Sequence, residues 1–185
     1  MPRVLILYGT TDGHTRKIAA ALQGILSWEG SRVDVVDARD VSRHVRPEDY
    51  DGVVVAASVH IGGYQRAVKR WVRAHAEGLS GMPSAFVSVC LGILEQRSEP
   101  RQEVERILQR FLDRGGWRPL MTKTVAGAVR YTRYNWLKKL VMKRIVAKAG
   151  GGTDTTRDYE YTDWDDLRGF AREFAGRLEL RACYS

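Results

Sequence analysis

The strongest constraint on the fold is the regular alternation of short apolar runs with amphipathic helical segments. Runs rich in Val, Ile and Leu predict five strands, at residues 3–8, 32–38, 51–58, 84–91 and 122–128. Apolar residues at helical spacing predict helices at 15–28, 65–77, 103–114 and 163–178, the last with Asp163 as its N-cap. Such continuous apolar runs indicate strands buried on both faces, and their alternation with helices indicates βαβ units in a parallel sheet.

Five strands in 185 residues predict a single α/β domain over residues 1–185, with a doubly wound sheet in the order 2-1-3-4-5. Residues 129–157 are too many for an ordinary connection, and we expect a basic helical insert there. The spacing of Cys90 and Cys183 suggests neither a disulfide framework nor a metal site, and no metal is expected. The sequence shows neither a signal-peptide pattern nor an apolar run long enough to span a membrane, so we expect a cytoplasmic protein.

The loop after the first strand, residues 9–15 (GTTDGHT), predicts a phosphate site. In the order 2-1-3-4-5, ligands bind beyond the carboxyl ends of strands one and three, where the strand order reverses. The amides of a helix N-terminus, the threonine hydroxyls and a permissive glycine together suit a phosphate monoester. The Walker A and Rossmann glycine patterns are absent, as is the acidic cluster of a receiver domain. The alternative is a plain βα turn with Asp12 or Thr11 as N-cap.

The same loop resembles the flavodoxin phosphate loop, Thr/Ser-x-Thr-Gly-x-Thr. Strands three and four also end in small and Gly-rich loops, AASVHIGGY (56–64) and SVCLG (88–92), where flavodoxins flank the flavin ring. The resemblance implies a flavodoxin-like fold and bound FMN. The residues that it places around FMN are Thr10, Thr11, Asp12, Gly13, His14, Thr15, Ser58, Val59, His60, Ile61, Gly62, Ser88, Val89, Cys90 and Leu91.

Three of these residues need separate comment. A carboxylate repels a phosphate dianion, so we expect Asp12 to point away and to cap backbone amides of the turn or helix. His14 either donates to the phosphate or is an ordinary exposed residue at a helix start. We expect Cys90 to be a small buried apolar residue, because nothing in the sequence around it suggests an activated thiolate.

The net charge of +8 is concentrated in one segment. Residues 130–148 carry seven basic side chains and no acid, with aromatic residues at the start and a partly apolar helical face. This pattern is typical of a helix on an anionic membrane surface, with a nucleic-acid face or a solvated edge helix as alternatives. The candidates for contact with substrate or membrane are Arg130, Arg133, Trp136, Lys138, Lys139, Lys143 and Arg144.

Nearly the whole chain resembles the quinone-dependent protoporphyrinogen IX dehydrogenase family, a flavodoxin-type family of haem synthesis. The shared features include Thr10, Asp12-Gly13 and Thr15 of the first loop, Ala57-Ser58, MPSAF (82–86), Ser88-Val89, WRP (117–119), AGA (126–128), Thr153-Asp154-Thr155, YTDW (161–164) and FARE (170–173). Arg130-Tyr131, Arg133-Tyr134 and Trp136 are the specific part, because ordinary flavodoxins lack this insert. His60, Ile61 and Cys90 depart from the family pattern in the loops beside the flavin ring.

The resemblance implies an enzyme that uses FMN to oxidise protoporphyrinogen IX and passes the electrons to a membrane quinone. Arg130 and Arg133 are candidates for the porphyrinogen carboxylates, because guanidinium groups pair well with carboxylates. The implied location is the inner face of the cell membrane, where the protein would bind peripherally. A homo-oligomer is compatible with this interpretation, and no nucleic-acid partner is expected. The alternatives are an FMN-dependent NAD(P)H:quinone reductase, a flavodoxin-like electron carrier and an RNA-binding domain without flavin.

Overall fold

A parallel sheet forms the centre of the protein. The computed structural model describes residues 1–42, 44–60, 62–94, 98–129, 131–133, 146–147 and 154–184. The central strands are β1 (Arg3–Gly9), β2 (Arg32–Asp37), β3 (Gly52–Ser58), β4 (Ser84–Val89) and β5 (Met121–Val125). They pair in parallel in the order β2-β1-β3-β4-β5, which confirms the predicted doubly wound topology.

Helices cover both faces of this sheet. One face packs against α1 (His14–Trp28) and α5 (Trp164–Tyr184), and the other against α2 (Arg66–Ala74) and α4 (Ser98–Gly115). The short helix α3 (Ala76–Ser80) follows α2. The inner strands are buried on both sides, as their continuous apolar sequences predict: β1 and β3 contribute residues to each of the two apolar layers.

Several predicted helix boundaries shift in the structure. The helix expected over 65–77 divides at His75, whose backbone at φ −125° is outside the helical range and separates α2 from α3. The helix α4 begins five residues before the predicted start, because Pro100 is tolerated in a first helical turn. At the start of α5, the Asp163 carboxylate accepts hydrogen bonds from the amides of Asp165 and Asp166, which confirms the predicted N-cap.

The fifth strand is shorter than predicted, and the chain leaves the sheet after Val125. Strand β6 (Ala128–Val129) instead pairs antiparallel with β7 (Tyr159–Glu160). The two short strands therefore form the base of the predicted insert. Within the described part of that insert, Tyr131–Arg133 forms a single 3₁₀ turn.

A buried hydroxyl joins three elements on the side of the sheet that packs against α2 and α4. The Ser84 side chain is fully buried, donates to the carbonyl oxygen of Leu79 at 2.6 Å and accepts from the indole of Trp117 at 3.0 Å. The hydroxyl therefore fixes the α3 turn and the segment after α4 onto the amino end of β4.

We predict that Ser84→Ala destabilises the fold. The substitution leaves the indole N–H of Trp117 buried without its acceptor, and an unsatisfied buried polar group costs about 1–3 kcal/mol. The free energy of unfolding, measured by urea titration, should fall by that amount. The control Ser27→Ala, on the exposed side of α1, should change it by less than about 0.5 kcal/mol. Equal effects of the two substitutions would contradict this account of Ser84.

Candidate functional site

The carboxyl ends of β1, β3 and β4 lie level with one another at one edge of the sheet. Gly9 at the end of β1 is paired with Ala57 of β3, and Ala57 is paired with Ser88 of β4. Backbone bonding continues past the strands, since the Val59 amide donates to the carbonyl of Val89 at 2.9 Å. The three loops that the sequence singles out therefore begin side by side.

The first loop leaves the start of α1 open to an anion. Gly13 occupies the N-cap position in the left-handed region, at φ 87°, where a side chain would be strained. Its amide donates to the hydroxyl of Thr10 at 2.9 Å, so the loop is held by its own threonine. No acidic residue occupies the first turn of α1, so no carboxylate within that turn opposes an anion at the helix terminus.

The hydroxyl oxygen of Thr15 gives the strongest indication that a ligand binds at this loop. Its side chain is fully buried, yet its hydroxyl oxygen has no hydrogen-bond partner in the described structure. Buried polar groups are almost always hydrogen-bonded, and one without a partner indicates a ligand or water that belongs beside it. A phosphate oxygen at the start of α1 fits that requirement, so the residues present fit the phosphate of FMN.

The ring of His14 is buried and has a partner far away in the sequence. His14 is only 5% exposed, so the alternative of an ordinary exposed residue at a helix start is wrong. Its Nε2 lies 2.7 Å from the hydroxyl of Thr162, which in turn donates to the carbonyl of Ala126 at 2.7 Å. Because that hydroxyl has one proton and gives it to Ala126, Nε2 must be the donor. The ring thus anchors α1 to the segment before α5. The backbone amide of His14 remains a candidate donor to the phosphate.

Gln65 joins the first loop to the loop after β3, a role that sequence reasoning missed. Its side-chain amide donates to the hydroxyls of Ser58 at 2.9 Å and Thr11 at 3.1 Å. A Cβ on Gly9 would clash with Gln65 and Val68, so glycine is required where these elements meet. The only signal in the sequence is a polar residue just before an amphipathic helix, which does not reveal its partners.

The loop after β3 forms a tight turn. His60 and Gly63 exchange backbone hydrogen bonds of 2.7 and 3.2 Å, and Gly62 lies between them at φ 70°. Val59 packs against the apolar layer that contains α2 and α4. Ile61, also predicted to contact the flavin, lies outside the described residues.

The loop after β4 is held by Tyr64, which sequence reasoning also missed. The phenol of Tyr64 shares a 2.7 Å hydrogen bond with the buried hydroxyl of Ser88, and burial raises the pKa of this phenol well above its usual range. Burial likewise raises the pKa of the Cys90 thiol, and the Gly92 amide lies 3.4 Å from its sulfur. The raised pKa favours the protonated thiol, as expected for a cysteine without an activated thiolate, but Cys90 is partly exposed and not the fully buried residue that the sequence predicts. Leu91 packs against the small apolar cluster of the insert.

The base of the insert is fixed to helix α1 and to its own closing strand β7. The ammonium of Lys17 lies 2.7 and 2.9 Å from the carboxylate oxygens of Glu160 in β7, and Trp164 donates to the same carboxylate. Although burial alone would raise the pKa of Glu160, these hydrogen bonds hold it below its usual value. Buried Tyr131 packs edge-on against Tyr159.

Most of the basic candidates cannot be placed in the site. Arg130, Trp136, Lys138, Lys139, Lys143 and Arg144 lie outside the described residues, and the side chain of Arg133 is not described. Asp12 lies in the bend before α1. Across the described ranges, no group of three or more His, Cys, Asp or Glu side chains is suited to hold a metal ion. The helices within those ranges include none that is long and apolar enough to cross a membrane.

Comparison with solved structures supports the fold. A flavodoxin from Bacillus cereus aligns with a TM-score of 0.57 at 16% identity, over 94% of this chain and 97% of that one. An archaeal flavodoxin aligns with a TM-score of 0.53 at 12% identity, over 96% and 99% of the two chains. At these identities the similarity establishes the architecture alone.

Sequence comparison is more specific. A family model described as a flavodoxin domain matches residues 5–156. The protoporphyrinogen IX dehydrogenase [quinone] of Escherichia coli strain K12 is 38% identical over 174 residues, which cover 94% of each protein. The Leishmania major protein of the same name is 37% identical over 176 residues, covering 94% of this chain and 75% of that protein. The chain therefore belongs to the family of flavodoxin-type protoporphyrinogen IX dehydrogenases that use a quinone.

Proposed function

We propose that this protein oxidises protoporphyrinogen IX to protoporphyrin IX with FMN as cofactor and a membrane quinone as electron acceptor. The observation that carries the proposal is a phosphate loop with an open helix start and an unpartnered buried threonine, found in a chain of this family. The similarity to the Escherichia coli enzyme extends over 94% of both chains, and the matching family model spans residues 5–156, which include both the loop and the insert.

The first loop would hold the FMN phosphate through the amides at the start of α1 and the hydroxyl of Thr15. The turn at His60–Gly63 and the segment Ser88–Leu91 would flank the ring. When bound, FMN supplies the capacity to take up two electrons and to pass them on. This chain supplies binding and orientation: Gln65 ties the first two loops together, and Tyr64 ties the second to the third.

No side chain of the three described loop segments is assigned as a catalytic acid or base. The two ionisable groups with raised pKa values, the phenol of Tyr64 and the thiol of Cys90, are both held protonated by burial. A protonated thiol and a buried phenol neither take up a proton nor carry a charge at neutral pH. The role of these two residues is therefore to shape the site.

The insert would bring this site to the membrane that contains the quinone. Its seven basic residues between positions 130 and 148, with no acid among them, favour an anionic surface, and Trp136 suits the headgroup level. We propose peripheral binding at the inner face of the cell membrane. The Lys17–Glu160 ion pair ties the base of the insert to α1, so a protein docked through the insert would present the flavin loops in a fixed orientation.

We predict that Thr15→Val weakens FMN binding without destabilising the apoprotein. Valine keeps the shape of threonine but removes a hydroxyl that has no protein partner. A hydrogen bond to a charged group contributes about 1.5–3 kcal/mol, so the Kd for FMN should rise about ten- to hundredfold. Fluorescence titration of the apoprotein with FMN measures this change.

The matched control is Thr122→Val, an exposed threonine of β5 whose loss should leave the Kd for FMN unchanged. Thermal unfolding of both apoproteins separates a binding effect from a folding effect. An unchanged Kd in Thr15→Val would show that the phosphate lies elsewhere.

The choice of electron donor separates the proposed enzyme from an NAD(P)H:quinone reductase. Anaerobic mixing of the holoprotein with protoporphyrinogen IX should bleach the flavin absorbance, and added quinone should restore it. NADPH under the same conditions should cause little bleaching. Fast bleaching by NADPH, with none by protoporphyrinogen IX, would favour the reductase.

We predict that the insert binds anionic vesicles through charge. The variant Lys138→Gln/Lys139→Gln/Lys143→Gln/Arg144→Gln should lose vesicle binding in a sedimentation assay and keep its FMN. Binding of the wild type should fall steeply with salt, because the Debye length shortens from about 10 Å at 0.1 M to about 3 Å at 1 M.

A control variant, Arg32→Gln/Arg46→Gln/Arg70→Gln/Arg118→Gln, loses the same charge at exposed positions of the described structure and should still bind. Turnover of the insert variant should fall with a lipid-embedded quinone and survive with a water-soluble acceptor. Sedimentation of the insert variant to the wild-type extent would overturn the assignment, and preferential competition by single-stranded RNA would favour a nucleic-acid role.

A further inference from the structure

A second concentration of positive charge lies between α2 and α4, in residues that do not belong to the basic insert. A cavity of about 150 Å³ is lined there by Lys69 and Arg73 of α2 and by Arg110 and Arg114 of α4. Each pair is spaced i, i+4, so its two charges lie on the same side of one helix. None of the four forms an ion pair or side-chain hydrogen bond with any residue that the structure describes.

This arrangement is unfavourable without a ligand. Like charges at i, i+4 destabilise a helix, and here two such pairs border the same cavity. Elsewhere on α4, Arg106 is paired with Glu103 at 3.2 Å, whereas neither Arg110 nor Arg114 forms an ion pair with an acid of the described residues. The described residues give these four cations no ion-pair partner, so the cavity offers positive charge to an anionic ligand.

The floor of the cavity is apolar and is connected to the flavin loops. Tyr64, Ile107 and Phe111 line it and are 4%, 8% and 6% exposed. Tyr64 is hydrogen-bonded to Ser88 in the loop after β4. Gly62 and Gly63 of the loop after β3 form the wall, and the ammonium of Lys69 lies 3.1 Å from where a Cβ of Gly63 would stand.

We propose that this cavity binds the carboxylate side arms of the tetrapyrrole substrate, an inference that rests on the proposed function. Pockets that enclose a whole drug-sized ligand have about 300–1,000 Å³, so 150 Å³ accommodates an alkyl carboxylate arm but not a macrocycle. The arginines can bind a carboxylate in a bidentate manner, and the apolar floor suits the methylene groups of the arm. A ring anchored in this way lies over Gly62–Gly63, beside the predicted flavin site.

The test uses the FMN-loaded protein and protoporphyrin IX as a probe that needs no turnover. The variant Lys69→Gln/Arg73→Gln/Arg110→Gln/Arg114→Gln should bind this porphyrin at least tenfold more weakly than the wild type, measured by fluorescence titration in detergent. The variant Arg32→Gln/Arg46→Gln/Arg70→Gln/Arg118→Gln loses an equal charge at exposed positions outside the cavity and should bind like the wild type. The dimethyl ester of protoporphyrin IX should bind the wild type and the cavity variant with equal affinity.

The cavity variant is expected to fold, because it removes repulsion between like charges, and retained FMN with an unchanged thermal midpoint checks this. Should it fail to fold, the pairs Lys69→Gln/Arg73→Gln and Arg110→Gln/Arg114→Gln are tested separately and should each weaken porphyrin binding. Equal porphyrin affinity of the cavity and control variants overturns the proposal. Loss of binding to anionic vesicles with unchanged porphyrin affinity also overturns it and assigns the four cations to lipid headgroups.

The outcomes separate this proposal from the proposed function. If the wild type oxidises protoporphyrinogen IX with quinone but the cavity variant binds porphyrin normally, the function stands and the cavity assignment fails. If porphyrin binding depends on the cavity but the wild type oxidises no porphyrinogen, the site stands and the activity fails. In a working enzyme the cavity variant should show a higher KM for porphyrinogen and a largely unchanged KM for quinone.

Discussion

The parallel pairing of β1 with β2 on one side and β3 on the other determines the position of every loop at the candidate site. Tyr8 near the end of β1 is paired with both Asp37 and Ala56, so the neighbouring strands end at the same level. The register continues through β3 to β4. Because the strands are buried on both faces, a slip by one residue would carry apolar side chains from one layer to the other. Short loops can therefore converge at one edge without long excursions.

The sequence predicts the sheet well because its signals are local. The strands appear as continuous apolar runs, the helices as periodic ones, and Asp163 as an N-cap directly before a periodic segment. The fifth strand was predicted too long, because Ala126, Gly127 and Ala128 also suit a strand by composition. In the structure these residues bond to the segment before α5 instead, through Tyr161 and Thr162. These hydrogen bonds are tertiary contacts, and no local sequence pattern predicts them.

The candidate site was predicted only in part, for the same reason. Glycine and threonine in a βα turn predict a phosphate loop, and a buried hydroxyl at Thr15 has no partner among the residues that the structure describes. The side chains that hold the loops together come from far away in sequence: Gln65 reaches Thr11 across 54 positions, and His14 meets Thr162 across 148. A single sequence contains no signal for such pairs. The basic residues of the insert remain a prediction, since all but Arg133 lie outside the described residues.

The structure also shows which charged side chains are paired and which are not, and composition alone cannot show this. Several acids of the described structure are engaged by cations on or beside the face of α1 and α5: Glu160 with Lys17, Glu29 with Arg172, and Asp166 with Lys123. Asp34 and Asp37 are similarly bound to Arg3 and Arg39 around β2. The excess of positive charge is therefore left at positions where the cations form no ion pair. Within the described residues, the cavity between α2 and α4 is such a place. Because an ion pair adds little net charge to its surroundings, unpaired cations dominate the local potential, and within the described residues this favours anionic ligands at that face of the sheet.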